Sequence, residues 1–141
     1  MQTDIRTPAP WTPPRQDVEL VEAGTRWDAV RAPAPIGERV LELLGSATGA
    51  VIADYAHMYW LIAPGSARCW QRIRQVHVLG AGSPAITYIG VPPVTYTRGP
   101  RLHWHVPVGP DRYLTDAARL REALVRAAIA ELGPSEDGVV R

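Results

Sequence analysis

The segment Arg101-Leu102-His103-Trp104-His105 holds the densest group of side chains in this chain that could do chemistry. On an extended strand, alternation places Arg101, His103 and His105 on one face and Leu102, Trp104 and Val106 on the other. Two imidazoles two residues apart can chelate one zinc or another borderline ion, with His57, His77 or Asp54 as a third ligand. The same side chains could instead meet the oxygens of a phosphate or of a nucleic acid. The plainer alternative is the polar outer face of an edge strand, with Trp104 in the core.

The other reactive residue types are less organised. His57 precedes the apolar run Met58-Tyr-Trp-Leu-Ile62 and reads by itself as a solvated turn residue. His77 alternates with Val76 and Val78, so it faces away from whatever those valines pack on. Cys69, the single cysteine, has no base near it in sequence and is expected to be a buried structural thiol. It excludes an internal disulfide framework and any multi-cysteine zinc site. Ser66 and Ser83 lack the surroundings of a nucleophile, and Gly80-Ala-Gly-Ser-Pro84 is not a phosphate loop, since the chain has no lysine. That glycine-rich segment reads as a hairpin loop. A cupin-type metal site would need a glutamate soon after His105, and Val106-Pro-Val-Gly-Pro110 supplies none.

Charge is distributed unevenly. Between Asp54 and Asp111 there are 56 residues without a single Asp or Glu, where the chain average would place about 5.6. The stretch contains Arg68, Arg72, Arg74, Arg98 and Arg101 together with all four histidines, giving +5 against +1 for the whole chain. If these segments neighbour one another in a sheet, they form a positive face that attracts phosphate or carboxylate groups. The bland alternative is a run of buried strands with arginines around their rim. The same gap removes the carboxylates that two-metal nucleotidyl transfer needs, because hard cations prefer oxygen ligands. Asp28, Asp54 and Asp111 remain, with no close pair among them.

The elements that must position these residues can be read from periodicity and punctuation. Residues 1–16, with Pro8, Pro10, Pro13 and Pro14 around a lone Trp11, read as a flexible Pro-rich tail. Residues 17–133 read as a single foldable body, and 134–141 as a flexible C-terminal tail. Asp17–Val21 and Thr25–Arg31 are short strands on either side of Ala23-Gly24. A first helix is expected over about 35–44, with Ile36, Val40, Leu43 and Leu44 on one face and Gly45 as the stop. Ala50–Ala53 and Met58–Ile62 look like a hairpin around Asp54–His57. A short helix over Ser66–Arg72 comes next, then strands at Val76–Leu79, Ala85–Ile89 and Leu102–Val106. A second helix spans about 116–132, capped by Thr115, with Leu120, Leu124, Val125, Ala128, Ile129 and Leu132 on its apolar face. The expected fold class is α+β: a mainly antiparallel or mixed sheet with two principal helices in one domain.

Read in order, three segments resemble the core of the primase–polymerase domain of bifunctional DNA primase/polymerase proteins, over about residues 50–107. Tyr55-Ala-His57-Met-Tyr-Trp-Leu-Ile62 is similar to that family's histidine motif and aromatic strand, with His57 in the place of the nucleotide-contacting histidine. Val76-His-Val-Leu-Gly80 resembles its second acidic strand. Val91-Pro-Pro93 and His103-Trp-His105 resemble the family's Pro-Pro segment and the aromatic strand after it. The departures are specific. Trp27-Asp28-Ala-Val30 offers one carboxylate where the family has Asp-x-Asp, and His77 stands where the second acidic motif belongs. The resemblance therefore implies a degenerate, non-catalytic relative that holds nucleotide or nucleic-acid phosphates through His57, Arg72, Arg74, His77, Arg101, His103 and His105. No cofactor is expected, the alternative being a divalent metal at His103 and His105 in a small metalloenzyme. A protein partner or a homo-oligomer is the alternative to nucleic acid, with the tryptophans and the Pro-rich segment as contact surface. The longest uncharged apolar runs fall short of the ~20 residues of a membrane helix, and no secretory leader is read at the N-terminus, so a cytoplasmic chain away from membranes is expected.

Overall fold

In the computed structural model, which describes residues 11–109 and 113–134, seven strands and two helices form three layers. The elements are β1 (Glu19–Glu22), β2 (Asp28–Pro33), α1 (Ala34–Leu44), β3 (Val51–Ala53), β4 (His57–Ile62), β5 (His77–Leu79), β6 (Tyr88–Val91), β7 (His103–Val106) and α2 (Ala117–Leu132). Five strands pair in the order β5-β2-β4-β3-β7, and β1 pairs with β6 in a separate ribbon. Every pairing is antiparallel. The chain is thus the α+β domain that its alternating apolar pattern predicts.

Strand alternation divides the apolar residues between two cores. Val30, Ala32, Val51, Met58, Trp60 and Ile62 point to the face covered by α1 and α2, which contribute Ile36, Val40, Leu120, Leu124 and Ala128. Gly37 lets α1 approach β4 closely, because a Cβ there would stand 2.6 Å from the Met58 Sδ. Ala29, Ile52, Leu61 and Trp104 point the other way and are buried with Trp27 and with Ile89 and Val91 of the ribbon. The three fully buried indoles of Trp27, Trp60 and Trp104 span both cores. Truncating one to alanine costs roughly 3–5 kcal/mol. Trp60 donates to the Thr48 Oγ1 (3.1 Å) and Trp104 to the Pro92 carbonyl (2.8 Å).

Several local expectations change once the chain is packed. Thr115 is not the cap of α2: its buried Oγ1 accepts from Gly49 N–H (2.8 Å), while its own N–H donates to the Leu61 carbonyl (2.8 Å). Asp116 caps the helix by accepting from Arg119 N–H at 3.0 Å. Residues 64–69 are successive turns rather than a helix, closed by hydrogen bonds from Ser66, Arg68 and Trp70 N–H to residues three before them. Ala67 turns inward there and Cys69 outward, so the thiol expected to be buried is exposed. Within the Pro-rich segment, Trp11 lies 5.6 Å from Trp27 and 5.3 Å from Tyr113 between ring centroids. Pro13 and Pro14 are buried, and the Pro14 carbonyl accepts from Val94 N–H. The packed body therefore starts at least as early as residue 11, because the indole finds an aromatic slot that sequence proximity does not reveal. Residues 1–10, 110–112 and 135–141 lie outside the described residues.

Gly80-Ala-Gly-Ser-Pro84 does not close a hairpin. It carries the chain from the large sheet to the ribbon, and Ala23-Gly24 makes the matching passage between β1 and β2. The two passages touch: a Cβ on Gly24 (φ +106°) would stand 2.9 Å from the Ala81 nitrogen. Asp28, only 1% exposed, fastens them, its Oδ1 accepting from Ala81 N–H (2.9 Å) and its Oδ2 from Gly65 N–H (2.8 Å). Gly80 (φ +138°) sits so close that a Cβ would collide with the Asp28 carboxylate. Asp28→Ala, which strands both N–H groups, should lower stability by about 1–3 kcal/mol in denaturant titration. Gly80→Ala should destabilise by a comparable amount, and an unchanged midpoint in both variants would show that the clasp does not hold the passages together.

Candidate functional site

The residues expected to form one positive site fall into three separate places. The first is the end of the large sheet's second face that the ribbon leaves uncovered. In the strand register, His77 of β5 lies opposite Arg31 of β2, Arg31 opposite Tyr59 of β4, and Pro33 opposite His57. Paired residues of neighbouring strands share a face with Cβ atoms about 4.5–5.5 Å apart, so His77, Arg31 and Tyr59 form a row, with His57 diagonal to it. The row continues through Ile52 to Trp104, where it passes under the second core. Arg72 approaches from the segment before β5, and a cleft of about 340 Å³ beside that edge strand is lined by Trp70, Arg72, Ile73, His77 and Val78.

Electrostatics agree with the register. The His77 imidazole is held below its ordinary range, first by partial burial and then by the positive charges of Arg31 and Arg72 and by His57. Among the described residues the one ion pair joins Arg39 to Glu131 (2.7 Å), across α1 and α2. Arg31, half-buried, therefore has no carboxylate partner among the described residues, and neither has Arg72. Such a face can take an anion: Arg31, Arg72, His57 and His77 lie near one another, and the nearby Asp54 carboxylate is engaged by backbone N–H groups.

The second place is the opposite edge of the sheet. His103, 7% exposed, directs its Nδ1 to the Arg101 carbonyl (2.6 Å), and its Nε2 lies 3.3 Å from the His105 Nδ1. His103 pairs with Ala53, which belongs to the helix-side core, so it lies on the face opposite His57 and His77. Arg101 is exposed beside this pair, away from Arg31 and Arg72. The third place is the end of α2. There Arg74 donates from Nη2 to the Gly133 carbonyl (2.6 Å), a favourable position for a cation at a helix C-terminus. Arg74 is thus engaged as a helix cap at a distance from the other two places.

The four histidines do not converge, so the third ligand expected for a metal at His103 and His105 is not supplied. Among the described residues no three of His, Cys, Asp and Glu come together as a metal site. Neither His57 nor His77 joins His103 and His105, because the sheet separates them. Asp54 is engaged locally: its Oδ1 accepts from Ala56 N–H (2.8 Å) and His57 N–H (2.7 Å), shaping the turn of the β3–β4 hairpin. Asp111 lies outside the described residues.

Arg31 is the site residue that the charge pattern missed, since it falls outside the acid-free stretch. Alternation held the signal: Val30 and Ala32 point to the helices, so Arg31 must face the other way. No family model, curated protein or solved structure matches this chain. The resemblance to primase–polymerase domains therefore rests on its short motifs alone. No helix of the described residues is long and apolar enough to cross a membrane.

The lowered His77 imidazole has a defined consequence. The unfolded chain takes up a proton near the ordinary value of ~6.5, before the folded chain does. Stability should therefore fall as pH drops through that value towards the folded one. In His77→Gln this part of the acid slope should disappear. Denaturation midpoints at pH 7.5 and 5.5 read it directly, and an identical slope in the variant would show that His77 is not the titrating group.

Proposed function

We propose that the chain binds nucleotide or nucleic-acid phosphates on the open end of its sheet, without catalysing nucleotidyl transfer. The observation that carries this reading is the gathering of Arg31, His57 and His77 on one face, with Arg72 near His77 and no ion pair to either arginine among the described residues. Tyr59 on the same row offers a ring against which a base can stack. His57 is also the residue that the primase–polymerase resemblance aligns with a nucleotide contact, so a degenerate member of that family fits the reading. Asp28 and Asp54 are both committed to backbone N–H groups, which favours binding over two-metal chemistry. Arg101, His103 and His105 stand on the other face and are left out of this contact; Arg74 is left out as a helix cap.

Binding of a fluorescent single-stranded oligonucleotide and of nucleoside triphosphates, measured across a salt series, tests this directly. The double variant Arg31→Ala/Arg72→Ala should weaken binding at least tenfold and reduce the salt slope by about one for each phosphate contact removed. Arg101→Ala should bind as the parent does. Absence of any salt-sensitive binding by the parent chain would overturn the proposal.

An interaction-module reading has one observation of its own. The outer face of the β1–β6 ribbon exposes Leu20 (73%), Ile86 (69%) and Tyr88, with Val18 beside them. Apolar residues gathered this way mark contact surfaces. Sizing over a concentration series distinguishes this reading: self-association abolished by Leu20→Asp supports it, and a strict monomer removes a second copy as the partner.

A further inference from the structure

We infer that His103 and His105 form a two-imidazole binding site for one borderline transition-metal ion, Cu2+, Ni2+ or Zn2+. The site is separate from the phosphate face and does not depend on it. Three features of the backbone and rings converge on it. The first is tautomer control. The His103 Nδ1 lies 2.6 Å from the Arg101 carbonyl, an acceptor only, so this nitrogen carries the proton and Nε2 keeps its lone pair. A carbonyl holding the far nitrogen of an imidazole is the usual outer support of a metal-ligating histidine. The ring is 7% exposed, so it is also held by packing.

The second feature is the spacing of the donors. The His103 Nε2 and the His105 Nδ1 are 3.3 Å apart, with ring centroids separated by 5.5 Å and planes inclined at 62°. Two nitrogens each ~2.0–2.1 Å from a tetrahedral ion stand roughly 3.3–3.4 Å apart, so the observed gap equals the bite of such a chelate. The third is the backbone that sets this spacing. In the β3–β7 register, Ile52 pairs with Trp104 and Val51 with Val106, which leaves His105 as the extra residue of a β-bulge. A bulge re-aims the side chain it carries, and here it brings the exposed His105 ring to the buried one.

The donor set chooses the ion. Two neutral nitrogens with no carboxylate among the described residues suit copper, nickel and zinc and give Ca2+ or Mg2+ nothing they prefer. Solvent fills the remaining positions. The competing explanation of the same geometry is a simple hydrogen bond, His105 Nδ1–H to His103 Nε2, and it predicts no affinity for metal.

Titration of the untagged chain with Cu2+, Ni2+ and Zn2+ by calorimetry separates the two. The metal site predicts saturable binding of one ion per chain: Zn2+ fits the present gap, and Cu2+, favoured by the Irving–Williams order, binds with the exposed His105 ring drawn in to roughly 2.8–2.9 Å. His105 is exposed, so His105→Ala should fold normally and lose at least tenfold in affinity. In the Cu2+ form, magnetic coupling to two imidazole nitrogens in the parent should reduce to one in His105→Ala. His57→Ala/His77→Gln should leave both readouts unchanged. Absence of saturable binding, equal affinity in His105→Ala, or an equal loss in the His57/His77 variant would each overturn the assignment. Loss of oligonucleotide binding in Arg31→Ala/Arg72→Ala bears only on the phosphate face.

Discussion

A five-stranded sheet with apolar residues on both faces has to be covered twice, and the described residues cover one face and part of the other. The two helices cover one face from β5 to β7. A ribbon of two four-residue strands, with Trp27 and the docked Trp11, covers part of the other. Where the cover stops, the side chains on the strands change character. Leu61, Ile52 and Trp104 lie under it, Tyr59 packs at its margin, and Arg31, His57 and His77 lie beyond it. The same alternation that builds a core at one end of each strand thus presents Arg31 and two imidazoles at the other.

The cover is held at a definite place by a buried charge. Asp28 sits at the point where two passages between the sheets cross, and each of its oxygens takes a backbone N–H. A carboxylate can be buried there because charge-assisted bonds to the backbone replace its water. Glycine at positions 24 and 80 follows from the same constraint, since the passages approach one another and the carboxylate too closely for a Cβ. One acidic residue is thereby withdrawn from solvent chemistry and given an architectural task. Asp54 is committed similarly to a hairpin turn.

The two histidine pairs show how pairing register sorts identical side chains. His57 and His77 join a row through Arg31, although twenty residues separate them in the chain. His103 and His105 are two residues apart, and with a β-bulge at His105 their ring nitrogens lie 3.3 Å from one another. Strand partners alone brought about the first meeting, whereas the second also follows from spacing along one strand.

Much of the fold was legible in the residues. Apolar periodicity located both helices within two residues at their ends and identified the β3–β4 hairpin. What alternation could not supply was which strand lies beside which. That decided the split of the histidines, the role of Arg74 as a helix cap, the docking of Trp11 and the recruitment of Arg31. The reason is physical: side-chain direction is a local property with a period of two, readable from the sequence. Juxtaposition is set by long-range hydrogen bonding between strands and by the burial of three indoles, and these exist only in the folded chain.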